Sequence, residues 1–113
     1  MSQTYSKVAA LTKLNYSLRN STRDLLESYC RSTGRGASDV TRQLICEYLS
    51  GSRDFINKPG EQTESYRTTL LLTDSIFESF DAAAKFSGIT RGFLIDNLIV
   101  AYVLEEVKSD CRS

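Results

Sequence analysis

Laid over itself with an offset of 54 residues, the 113-residue chain repeats. Leu18 falls on Leu72, Leu26 on Phe80, Gly34 on Gly88, Leu44 on Leu98, Ile45 on Ile99 and Tyr48 on Tyr102, with Lys13 on Arg67 and Glu27 on Asp81 between them. Any two amphipathic helices share a period. Sharing a glycine, a tyrosine and the spacing between them points instead to duplication of one structural unit. A unit of about 40 residues buries too little surface to hold a core by itself, so the two copies must complete each other.

Each copy reads as strand, helix, turn, helix. From Lys13 to Leu18 polar and apolar residues alternate, putting Leu14, Tyr16 and Leu18 on one face and Lys13, Asn15 and Ser17 on the other. Arg67 to Leu72 follows the same scheme, with Thr68, Leu70 and Leu72 inward and Arg67, Thr69 and Leu71 outward, Leu71 being an apolar residue on the open face. Asn20, Ser21 and Thr22 in one copy, and Thr73, Asp74 and Ser75 in the other, supply side chains able to cap a helix start. The first helices carry the stripes Leu25, Leu26, Tyr29, Cys30 and Ile76, Phe80, Ala83, Ala84, and each ends at a glycine, Gly34 or Gly88. The second helices carry Val40, Leu44, Ile45, Tyr48, Leu49 and Leu94, Leu98, Ile99, Tyr102, Val103. Periodicity lapses around Gly51, Pro59 and Gly60. The expected organisation is copy one over 8–50, a linker over 51–65 and copy two over 66–105, the copies forming one compact domain.

A lone strand has no hydrogen-bonding partner, so the two strands must pair. The expected fold is mainly α, with a two-stranded antiparallel ribbon laid on four interlocked helices and Lys13, Asn15, Ser17, Arg67, Thr69 and Leu71 in its outward row.

Composition narrows function. The chain lacks His, which removes the usual general base of Ser and Cys nucleophiles, and it has no GxGxxG, GxxxxGK[ST] or GxSxG motif. Cys30, Cys46 and Cys111 are odd in number and widely spaced, suggesting neither a disulfide framework nor a zinc site. A non-enzyme without cofactor or metal is expected. The apolar runs are too short to cross a bilayer and Met1 to Lys7 is polar, so a cytoplasmic protein with no membrane partner is expected. Basic and acidic residues balance at 14 each, but residues 1–53 hold 8 basic and 4 acidic groups and residues 54–113 hold 6 and 10. A polarised molecule follows, in which any contact with a polyanion leans on the first copy.

The alternating Lys13-Leu14-Asn15-Tyr16-Ser17-Leu18, the sixteen-residue step from Leu18 to Gly34 repeated from Leu72 to Gly88, and Gly34-Arg35-Gly36-Ala37-Ser38-Asp39 opening the second helix resemble the ribbon-helix-helix family, the fold of Arc-type and MetJ-type repressors. The resemblance covers about residues 8 to 105. Two units fused in one chain, a pseudo-dimer in a monomer, are similar to the TraY proteins of conjugative plasmids. That resemblance implies an accessory relaxosome protein, binding double-stranded DNA at the origin of transfer and at its own promoter, with the relaxase and other relaxosome proteins as partners. Three departures stand out: neither copy has the Pro often found just after the strand, Leu71 replaces a polar reader, and Gly92 stands where copy one has Ser38.

The residue types support DNA binding without the family name. A two-stranded ribbon fits the major groove of B-DNA, where Lys13 and Arg67 suit guanine O6/N7, Asn15 suits adenine N6/N7, and Thr69 or Leu71 suits a thymine methyl, with Ser17 completing the row. The second helices open at Gly36-Ala37-Ser38 and Thr90-Arg91-Gly92, whose N–H groups can hold phosphate. Two other readings stay open: a repressor or antitoxin of the same fold unconnected with conjugation, and a helical adaptor between proteins, for which the acidic surplus of copy two offers a surface.

Overall fold

The computed structural model describes residues 10–55 and 64–112. Its elements, in chain order, are β1 (Leu11–Arg19), α1 (Asn20–Thr33), α2 (Ala37–Ser50), β2 (Ser65–Thr73), α3 (Asp74–Ser87) and α4 (Arg91–Arg112). β1 and β2 pair antiparallel from Leu11 opposite Thr73 to Arg19 opposite Ser65. The centre of this ladder is Asn15 opposite Thr69, two residues that are also each other's equivalents in the repeat. A local two-fold axis therefore passes between them. One bond beyond the strands obeys the same axis: the Asn20 N–H donates to the Glu64 carbonyl at 2.7 Å and the Asp74 N–H to that of Ala10 at 3.0 Å.

The mainly helical architecture with a two-stranded ribbon is the expected one, and the order β-α-α-β-α-α is that of a tandem ribbon-helix-helix in one chain. The helices interlock across the repeat, α4 packing on β1 and α1 while α2 packs on β2 and α3. Leu14, Leu18, Leu70 and Leu72 reach down from the ribbon to Leu26, Phe80, Val40, Leu44, Ile45, Leu94, Leu98 and Ile99, all buried. Leu25, Tyr29, Cys30, Tyr48, Leu49 and Ile76 pack at the rim. Ile95, outside the expected set, is also buried, because α4 is covered on more than one side. Truncating one of the central leucines to Ala would cost about 2 to 5 kcal/mol.

α1 and α3 end on Gly34 and Gly88, whose φ angles of 75° and 74° lie in the left-handed region that glycine enters without penalty. Their starts differ. Thr73 caps α3 by accepting the Ile76 N–H at 3.4 Å. α1 has Arg19 at the cap position and no side-chain cap, so the expectation that Asn20, Ser21 or Thr22 would serve there is corrected. A residue from the other copy meets that need instead: the carboxylate of Asp96 on α4 accepts from the Arg19 N–H at 2.9 Å and from the Thr22 hydroxyl at 2.9 Å.

α4 runs 22 residues against 14 for α2 and so passes the expected end of copy two at 105. Of the linker, Phe55 packs on Phe93 with ring centroids 6.0 Å apart. Pro59 and Gly60 lie outside the described residues, as do residues 8 and 9 of copy one. Among the described residues no single helix is long and apolar enough to cross a membrane.

Candidate nucleic-acid interface

Successive residues of a strand point to opposite faces, so the burial of Leu14, Tyr16 and Leu18, and of Leu70 and Leu72, fixes what the other face carries. Lys13, Asn15, Arg67, Thr69 and Leu71 are exposed there and Ser17 is half-buried. All six residues expected in the outward row share one face. The register sets Lys13 opposite Leu71, Asn15 opposite Thr69 and Ser17 opposite Arg67. The two cations thus occupy diagonal corners, four residues apart along the ribbon, about 13 Å at the rise of an extended strand. That span is close to four base-pair steps of about 3.4 Å each.

Among the described residues neither Lys13 nor Arg67 has an ion-pair partner, which leaves both ammonium and guanidinium available. At the centre the Thr69 hydroxyl donates to Asn15 Oδ1 at 2.9 Å. This bond fixes which way the Asn15 amide faces. It leaves one Oδ1 lone pair and both N–H donors, the complement of the N6 donor and N7 acceptor of adenine. Thr69 keeps its methyl group for an apolar contact.

The starts of α2 and α4 flank the ribbon on opposite sides. Between β1 and α4 lies a notch of about 320 Å³, lined by Asn15, Tyr16, Ser17 and 90–93. Between β2 and α2 lies a smaller one of about 60 Å³, where Ala37 and Ser38 approach Thr68 and Thr69. Gly92 permits the tighter approach: a Cβ on it would stand 2.9 Å from the Ser17 carbonyl oxygen. The same closeness explains why Ser17 is the one partly covered member of the row.

At each helix start the first-turn N–H groups have no helical carbonyl to meet. α2 begins after Gly36 with no side-chain cap, so the amides of Ala37 and Ser38 face outward from the helix end. At α4 the Thr90 hydroxyl accepts from the Phe93 N–H at 3.1 Å, which assigns Thr90 to capping and leaves Arg91 and Gly92 as the open amides. The charges beside the two ends are opposite. Asp39 sits in the first turn of α2, its carboxylate beside Gly36 and bonded to Arg42 at 3.0 Å. α4 has no acid in its first turn and carries Arg91, which is 3.3 Å from Asp81 and lies over the Phe77 ring. The halves of the sequence place the positive surplus in copy one, whereas the local charges make the copy-two helix end the better anion site.

Leu11, Arg19 and Asp96 escaped the sequence reading of this region. Leu11, 57% exposed, extends the outward row beside Lys13 and Leu71, so one end of the face sets two exposed leucines around a cation and the other, with Ser17, Arg67 and Ser65, is polar throughout. Arg19 lies on the same face, tied to Asp96 through Nε at 3.1 Å and a terminal nitrogen at 2.5 Å. That hydrogen-bonded carboxylate raises the Arg19 pKa further above its ordinary value and keeps the guanidinium charged. Under the ribbon, burial and the neighbouring Tyr66 push the Tyr16 phenol up to about 12. Leu11 and Thr12 reverse the polar-apolar order of 13–18 and so hide the start of the strand, while nothing local marks the pairing of Arg19 with a residue 77 positions away.

Compared with protein-family models, curated proteins and solved structures, the chain finds no match.

Proposed function

We propose that this chain is a sequence-specific binder of double-stranded DNA that lays the β1–β2 ribbon in the major groove. The observation that carries the reading is the outward row itself: two cations at diagonal corners with no ion-pair partner among the described residues, and an oriented amide at the centre, flanked by two helix ends with open amides. A groove about 12 Å wide admits a two-stranded ribbon, and all four base-pair orientations are distinguishable there. Lys13 and Arg67 read guanines on opposite strands, Asn15 reads an adenine near the centre, Thr69, Leu71 and Leu11 meet thymine methyls, and Ser17 adds a small polar contact. Amides of Ala37 and Ser38 on one side, and of Arg91 and Gly92 on the other, hold the flanking phosphates and set the register. Since Ser17 and Leu71 are equivalents in the repeat yet chemically unlike, the preferred site is asymmetric.

A zero net charge gives no long-range attraction to a polyanion, so affinity rests on these short contacts. With one phosphate held at each helix end, log K falls against log salt with a slope of about −2, shallow for a DNA-binding protein. The tandem arrangement, similar to that of TraY proteins, supports a place at the origin of transfer of a conjugative plasmid, where the protein organises DNA for a separate relaxase and regulates transfer genes, in the cytoplasm. Binding without cutting is the contribution assigned to it.

Selection from a random duplex library, followed by anisotropy titrations, tests the reading. Lys13→Ala, Asn15→Ala and Arg67→Ala are each expected to cost about 1 to 3 kcal/mol at the selected site and to relax base preference at one position, with little change on unrelated DNA. A library that yields no enriched sequence, or variants that keep full discrimination, would count against it. Relaxase nicking of supercoiled origin DNA, with and without the protein, separates the plasmid-transfer role from plain repression.

A further inference from the structure

The repeat gives each side of the ribbon the same backbone and different side chains, and the differences are complementary only one way. On the side where copy two covers copy one, Asp96, 4% exposed, meets Arg19 and Thr22, and Gly92 lies against the Ser17 backbone. At the equivalent positions on the other side Arg42 replaces Asp96, Ser38 replaces Gly92, Thr73 replaces Arg19 and Ile76 replaces Thr22. There Arg42 Nε donates to the Leu71 carbonyl at 3.0 Å, and Thr73 caps its own helix.

We infer that these substitutions form a pairing code, by which copy one accepts copy two and refuses a second copy one, and copy two likewise refuses itself. Consider copy one against copy one of another chain. Arg42 would then be brought to Arg19 in place of Asp96, setting two guanidiniums together in a largely covered site. Ser38 would take the place of Gly92, where a Cβ falls 2.9 Å from the Ser17 carbonyl oxygen and 3.2 Å from its nitrogen. In a pair of second copies Asp96 would face Thr73 and Ile76 in place of Arg19 and Thr22, leaving a buried carboxylate with no guanidinium to balance its charge. An uncompensated buried charge is among the costliest defects an interface can contain. Each half therefore takes as partner the other half, of its own chain or of a second copy that has exchanged halves. The inference concerns assembly and does not depend on DNA binding.

Charge reversal in the full-length chain tests it. Asp96→Arg alone sets a second guanidinium against that of Arg19, and Arg19→Asp alone sets a second carboxylate against that of Asp96. Each single variant is expected to lose about a hundredfold in its folding constant by urea titration. Two restorations are then expected: the double variant regains most of the loss, and an equimolar mixture of the two single variants forms a one-to-one heterodimer by native mass spectrometry, because exchanged halves meet with opposite charge at both places. Single variants as stable as the parent chain would overturn the code. So would destabilised singles that neither the double variant nor the mixture restores, since the defect would then lie in geometry and not in matched charge.

Discussion

Tyr16 shows how a single side chain couples the outward face of the ribbon to the core. Its ring lies under the ribbon between Asn15 and Ser17, 8% exposed, and burial is the main reason its phenol titrates near pH 12 where a free tyrosine titrates near 10. The folded state thus keeps a proton that the unfolded chain releases between pH 10 and 12. Stability from this group is fully present below about pH 10 and is lost as pH rises through the folded pKa, a loss of roughly 2 to 3 kcal/mol for a two-unit shift. Burial raises the Tyr66 and Tyr102 phenols too, so they act in the same direction. Urea titrations from about pH 8 to 12 are expected to show this fall, and Tyr16→Phe is expected to make it shallower. At this scale the outward six residues were legible in the sequence because a strand has period two. The Arg19–Asp96–Thr22 cluster was not, since Asp96 lies more than 70 positions from its partners and joins them only once the copies interlock.

Among the elements, the two long helices decide how the ribbon is presented. α2 and α4 are repeat equivalents whose starts differ in charge, Asp39 standing at one and Arg91 near the other. If phosphate is held at both, Asp39 opposes it at the first. Asp39→Asn should strengthen binding to every sequence by about two- to fivefold at low salt, the effect fading as salt rises. Anisotropy titrations on cognate and unrelated duplexes at two salt concentrations would check this, and a gain confined to the cognate site would assign Asp39 to base selection instead. The pattern of elements was readable from the glycine steps and the helical stripes, while β1 starts two residues before the alternating run because an outward Leu11 and an inward Thr12 reverse it. The start of α1 was misread for a physical reason. Asn20, Ser21 and Thr22 are the residue types that cap, yet the need was met from α4, and a local rule cannot register a partner supplied by another copy.

For the whole molecule, duplication was the observation from which most of the fold followed: neither unit can hold a core alone, and pairing the two strands forces the helices to interlock. The two-fold axis through Asn15 and Thr69 also makes a claim about DNA. In the proposed complex Lys13 and Arg67, related by that axis, read opposite strands from the major groove, roughly four base pairs apart. Methylation interference on a selected site tests this most directly, because dimethyl sulfate marks guanine N7 in the major groove and adenine N3 in the minor. The expected result is loss of binding on N7 methylation at one guanine on each strand, about four base pairs apart, with the Lys13→Ala and Arg67→Ala variants each made indifferent to one of them. Interference confined to adenine N3, or two critical guanines on one strand, would contradict a ribbon placed in the major groove.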